Sequence, residues 1–128
     1  MIYLDSSVVL AHFLVEAQRL PDRAWDQPLT SSRLLEYEVW TRLHAKGFGR
    51  SLRQAVLDFF TRIVFIELSE NVLARAREPF PVHVRTLDGL HLATIEFLRT
   101  NGAFIELATF DARMISSARS LGIAIYKA

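Results

Sequence analysis

The chain contains no cysteine. Disulfide bridges and thiolate metal sites are therefore excluded. The absence fits a reducing compartment, and a cytoplasmic location is the expectation. Neither sign of charge is in surplus: 15 Lys and Arg face 14 Asp and Glu, for a formal net charge of +1. Bulk charge thus does not announce a nucleic-acid partner, so any such partner must be met by local arrangement. No apolar run is long enough to span a bilayer, and no membrane association is expected. The start, "MIYLDSS", lacks the basic region and long apolar core of a secretion signal. There is no repeat, low-complexity tract or linker. What remains is globular composition, 51% hydrophobic and 23% charged over 128 residues. That suits one domain, residues 1–128, with a core of its own.

Short apolar runs alternate with helical patterns along the chain. "IYL" (2–4), "LTS" (29–31), "VFIEL" (64–68), "AFIELATF" (103–110) and "IAIYKA" (123–128) read as strands. Helices are expected over 6–15, 32–46, 51–61, 69–80, 86–102 and 111–122, with a loop-rich stretch over 18–28. Ser69 is a plausible N-cap, and the Asn101-Gly102 pair closes the helix that starts near Thr86. Near-continuously apolar strands separated by helices indicate an α/β fold, with a mainly parallel sheet covered on both faces. In such sheets ligands bind beyond the carboxyl ends of the strands, where the strand order switches.

Acids stand at those ends. Asp5 follows the first strand and Asp111 follows the strand at 103–110. Each also fits an ordinary helix N-cap, contributing about 0.5–2 kcal/mol. If the two strands are neighbours, however, both carboxylates overlook one crevice, and their repulsion calls for a cation. Asp88 lies in the first turn of its helix, where complementarity to the dipole is the ordinary reading. Its surroundings, "TLDGLHLA", are apolar, and an acid there calls for a partner. Gly89 beside it would allow a close approach by a neighbouring backbone or a ligand. In "LLEYEVW", Glu36 and Glu38 point about 200° apart on a helix and cannot both serve one site. Arg42, one turn beyond Glu38, offers it a simple surface ion pair. Periodicity does not choose between the two glutamates.

Taken together, "YLDSSVVLAHFL", "SSRLLEYEVWTRL", "RTLDGLHLATIEFL" and "LATFDARM" resemble the PIN-domain ribonucleases, and among them the VapC-like toxins of toxin–antitoxin pairs. The resemblance spans essentially the whole chain. It implies a three-layer α/β/α fold and an acidic pocket that binds Mg²⁺ or Mn²⁺ and cleaves RNA. Carried over by position, the family acids fall on Asp5, Glu38, Asp88 and Asp111. Glu38 is favoured over Glu36 because an aliphatic Val39 follows it and Leu43 lies five residues on. Ser6 and Thr109 match small hydroxyl positions near the metal or its waters, and Gly89 stands where alanine is commoner. The resemblance also implies a VapB-like antitoxin and a homodimer.

The chemistry suits these residue types. Mg²⁺ takes oxygen ligands and keeps several waters, so four acids suffice for one ion with ordered waters, or for a second ion. Asp5, Asp88 and Asp111 are the expected metal ligands, and Glu38, longer and borne on a helix, is expected to orient the attacking water. A basic rim should offset the acids. Arg42, Lys46, Arg50 and Arg53 are the candidates, with His44 in the same segment and His83 and Arg85 as lesser ones. His91 is read as a packed, hydrogen-bonded histidine. Two other readings compete. A phosphoacceptor receiver domain needs an acidic pair after the first strand, where only Asp5 stands, and a phosphorylatable aspartate after the middle one, where "VFIELSE" offers glutamates alone. A non-catalytic PIN-like binding module is the alternative that keeps the fold.

Overall fold

A computed structural model describes residues 1–127. Five strands form one sheet: β1 (Ile2–Leu4), β2 (Leu29–Ser32), β3 (Ile63–Ile66), β4 (Glu106–Ala108) and β5 (Ala124–Ile125). Their order is β3-β2-β1-β4-β5, and every pairing is parallel. Six helices accompany them: α1 (Ser6–Phe13), α2 (Leu34–Ala45), α3 (Arg53–Phe60), α4 (Glu70–Ala76), α5 (Thr86–Thr100) and α6 (Ala112–Ser120).

The strands are short, and both faces of the sheet are covered. Along β1 the side chains alternate. Ile2 and Leu4 join the cluster built by Val8 and Val9 of α1, Leu35, Val39 and Leu43 of α2, and Val56, Phe59 and Phe60 of α3. Tyr3 faces the other way, into a cluster with Leu92 and Ile95 of α5, Leu107 of β4 and Met114 and Ala118 of α6. The result is the three-layer α/β/α sandwich that the alternating pattern implies.

Several element ends differ from the sequence reading. The strand expected over 103–110 is regular only at Glu106–Ala108, and the helix expected to reach residue 80 ends at Ala76, short of the Pro79–Pro81 segment that cannot continue it. A 3-10 helix, Asp22–Asp26, occupies the stretch read as loop and buries Trp25. Ala128, the last residue of the expected final strand, lies outside the described residues. Among the described residues, no helix is long and apolar enough to cross a membrane.

The topology has one consequence for function. From β1 the chain builds outward through β2 and β3, then returns to place β4 and β5 on the other side of β1. The switch in order therefore falls between β1 and β4, which pair with Leu4 opposite Ala108. Connections leave these two strands in opposite directions, opening a crevice beyond their carboxyl ends. The Asp5 N–H extends the ladder by donating to the Ala108 carbonyl at 3.1 Å, so the residue after β1 is fixed at the mouth of that crevice.

Candidate active site

A cleft of about 540 Å³ opens at this switch point. Asp5, Glu38, Asp88 and Asp111 all line it, with Ser6 and Arg42. Four separate parts of the chain supply the acids: Asp5 follows β1, Glu38 projects from α2, Asp88 sits in the first turn of α5, and Asp111 stands between β4 and α6.

Asp5 does not act as a helix cap: although it precedes α1, its side chain makes no capping bond. Instead Oδ2 accepts hydrogen bonds from the Ser7 and Thr109 hydroxyls, both at 2.7 Å. Those hydroxyls are in turn fixed by backbone donors, Phe110 N–H to Ser7 Oγ and Asp111 N–H to Thr109 Oγ1, each at 3.0 Å. The carboxylate is therefore tied across the crevice to the end of β4. Only 6% of Asp5 is exposed, and these donors replace the water it has lost.

Asp111 divides its two oxygens. Oδ1 accepts from the backbone N–H groups of Arg113 and Met114, so the ordinary capping reading is realised. Oδ2 accepts from the Arg85 guanidinium, which also donates through Nε to Asp88 Oδ2 at 2.8 Å. Arg85 is thus a cation standing between two of the acids. Burial and the nearby Asp5 and Asp111 charges outweigh it at Asp88, whose carboxyl is held above its ordinary range. At Asp111 partial burial acts upward as well, but the Arg85 and backbone donors prevail and the carboxyl is held below its ordinary range.

Glu38 is held from the opposite side of the sheet's end. Its Oε1 meets His91 Nε2 at 2.5 Å, and His91 is fully buried on α5. Glu36, by contrast, pairs with Arg33 at 2.8 Å on the exposed side of α2, within a small network that includes Glu67. The two glutamates are separated as the helical angle requires, and it is Glu38 that faces the cleft.

The remaining sequence candidates divide. Arg42 lines the cleft and Thr109 binds Asp5, whereas Lys46, Arg50 and Arg53 lie beyond the lining, exposed at the α2–α3 end. Arg53 rests over the Trp40 ring, 6.0 Å from its centroid. Three side chains of the site take parts that the sequence reading did not give them. Ser7 rather than Ser6 holds Asp5, Arg85 bridges acids rather than standing free, and His91 packs, as expected, but packs against Glu38. The spacings Asp5–Ser7 and Arg85–Asp88 are local and could have revealed the first two. The Glu38–His91 contact spans 53 residues and left no local signal. Nothing requires glycine at position 89: a Cβ there would meet Phe80 and Val84 at 3.6 and 3.8 Å, ordinary contact distances.

Among the described residues, no three acids or histidines stand close enough together to enclose a cation. The partners explain why: Asp5 is turned to Ser7 and Thr109, Glu38 to His91, and Asp88 and Asp111 to Arg85. The donor set is nonetheless all oxygen and anionic, as a hard divalent cation requires, and Arg85 supplies positive charge where two of its members meet.

With this geometry in view, the class is defined: residues 2–124 match the PIN domain family model, and the chain belongs to the PIN domain family. Over 127 residues it is 33% identical to Ribonuclease VapC46 of Mycobacterium tuberculosis (strain ATCC 25618 / H37Rv), covering 97% of this chain and 95% of that protein. Its fold is also similar to that of a chain from a toxin–antitoxin complex of Klebsiella pneumoniae, with a TM-score of 0.65, 17% identity and 94% of each chain covered.

Proposed function

We propose that this chain, acting as a single domain over residues 1–128, is a metal-dependent endoribonuclease and the toxin of a toxin–antitoxin pair. The observation that carries the reading is the gathering of Asp5, Glu38, Asp88 and Asp111 from four parts of the chain into one cleft at the strand-order switch. Membership of the PIN domain family and the 33% identity to a protein named as a ribonuclease support it.

Asp5, Asp88 and Asp111 would hold Mg²⁺ or Mn²⁺ once Arg85 has moved from between the last two. When bound, the cation supplies charge for the phosphate oxygens and activates water. The residues of the chain do the rest. Ser7 and Thr109 keep Asp5 pointed across the crevice, with Ser6 at its lip. Glu38 orients the attacking water and accepts its proton. Arg42, inside the cleft, and Lys46, Arg50 and Arg53 beyond it contact the RNA backbone and offset the acidic interior. The partners are RNA, a VapB-like antitoxin and a second copy of the chain, and the setting is the cytoplasm.

The test is purified protein against a panel of structured RNAs with Mg²⁺, Mn²⁺ or chelator. Cleavage with either cation and its loss in chelator is the expected result. Cleavage that survives chelation would overturn the metal role, and binding without cleavage would favour a non-catalytic module.

A further inference from the structure

Behind Glu38 lies a chain of polar groups that reaches through the sheet. Ser32 N–H donates to Tyr3 Oη at 3.2 Å, Tyr3 Oη lies 2.7 Å from His91 Nδ1, and His91 Nε2 lies 2.5 Å from Glu38 Oε1. Tyr3 and His91 are both fully buried, and their rings meet edge to face with centroids 5.7 Å apart. Three elements are joined this way: Tyr3 is the middle residue of β1, two residues before Asp5; His91 is on α5, one turn after Asp88; Glu38 is on α2.

A buried phenol and imidazole are costly unless their polar atoms are satisfied, and here each has a partner. Hydrogen-atom counting fixes their direction. The Tyr3 phenol has one O–H, and its oxygen already accepts from the Ser32 N–H, which leaves that O–H to point at His91. The Glu38 carboxylate can only accept. A neutral imidazole satisfies both contacts in one way: Nε2–H donates to Glu38, and Nδ1 accepts from the Tyr3 hydroxyl.

We propose that Tyr3 and His91 form a buried positioning pair for Glu38, with Tyr3 fixing the Nε2–H tautomer of His91 and that N–H fixing the carboxylate that faces the water. The proposal rests on the catalytic reading of Glu38. One oxygen of Glu38 is committed to His91, so the rotation of a long, flexible side chain is limited and the other oxygen has a set direction. Because β1 and α5 also carry Asp5 and Asp88, the pair registers Glu38 against the acids proposed for the metal.

The test has two parts. First, nitrogen-detected NMR of the imidazole reads the tautomer: the Nε2–H form is expected, and an Nδ1–H or doubly protonated ring overturns the proposal. Second, RNA cleavage is compared for wild type, Tyr3→Phe, His91→Gln and Glu38→Gln, with folding and calorimetric Mn²⁺ binding followed in each. Tyr3→Phe removes only the hydroxyl and is expected to lower kcat about tenfold, with KM and Mn²⁺ affinity unchanged. His91→Gln, whose amide nitrogen takes the place of Nε2, is expected to retain activity within about threefold, since a donor to Glu38 remains. Wild-type kcat in Tyr3→Phe, or loss of cleavage in a folded His91→Gln as deep as in Glu38→Gln, overturns the positioning role. If Glu38→Gln itself cleaves like wild type, the underlying reading of Glu38 fails instead, and the two failures are distinguishable.

Discussion

At the scale of single residues, the site is a set of acids each held by a different partner. This separates roles that periodicity alone left merged. Glu38 faces the cleft and bonds to His91, whereas Glu36 pairs with Arg33 at the surface. Changing Glu38 to Gln should lower the cleavage rate by about 100-fold or more, as removal of a general base does, and Glu36→Gln should leave it near wild type. Single-turnover cleavage of one RNA by the two variants decides this, and the reverse pattern would place the wrong glutamate in the site. Gly89 is a second case. It lies in the interior of α5, and a Cβ there meets only ordinary contacts. Gly89→Ala should therefore stabilise the protein by about 1 kcal/mol, through helix propensity. Urea unfolding reads it, and a loss of similar size would mean that Phe80 or Val84 cannot accommodate the methyl. Asp5, Asp88 and Asp111 were legible in the sequence as acids at strand and helix ends, and Glu38 only through the family resemblance. The sequence concealed their partners because Glu38–His91 and Arg85–Asp111 are contacts between elements.

At the scale of elements, the segment just before α5 has a double part. Arg85 stands in the N-cap position of α5 without capping it and reaches instead to Asp88 and Asp111. On the proposed reading it is the cation that Mn²⁺ would have to displace. Arg85→Ala should therefore bind Mn²⁺ more tightly at neutral pH, by several-fold on the scale of a partly exposed ion pair. The effect weakens on acidification. Arg85 lowers the pKa of both carboxyls, so without it Asp88, already held high by burial, moves higher still and Asp111 loses its depression. The variant's advantage should shrink as pH falls toward the raised Asp88 range, because protons then compete with the metal. Calorimetric titrations at neutral and mildly acidic pH measure both effects, and weaker binding by the variant at neutral pH would show that Arg85 organises the site rather than guards it. Element identities were legible from periodicity, for instance the Val56, Phe59 and Phe60 face of α3. Their ends were less so. "AFIELATF" reads as eight strand-like residues, yet ladder pairing with β1 and β5 holds only three of them. Pairing partners, rather than propensity, set a strand's length.

At the scale of the whole molecule, strand order makes the site. The alternation of apolar runs and helices implied a covered parallel sheet, but the order β3-β2-β1-β4-β5 is a tertiary choice that local pattern does not encode. That order makes β1 and β4 neighbours, and so brings Asp5 and Asp111, 106 positions apart in number, to one crevice. On the proposed reading this crevice is a divalent-cation site anchored on Asp5. The most direct measurement is Mn²⁺ titration of wild type and Asp5→Asn by calorimetry, with thermal unfolding as a check that both are folded. Saturable binding by the wild type and its loss in the folded variant is the result this account requires. Equal Mn²⁺ affinity in the two proteins would contradict it.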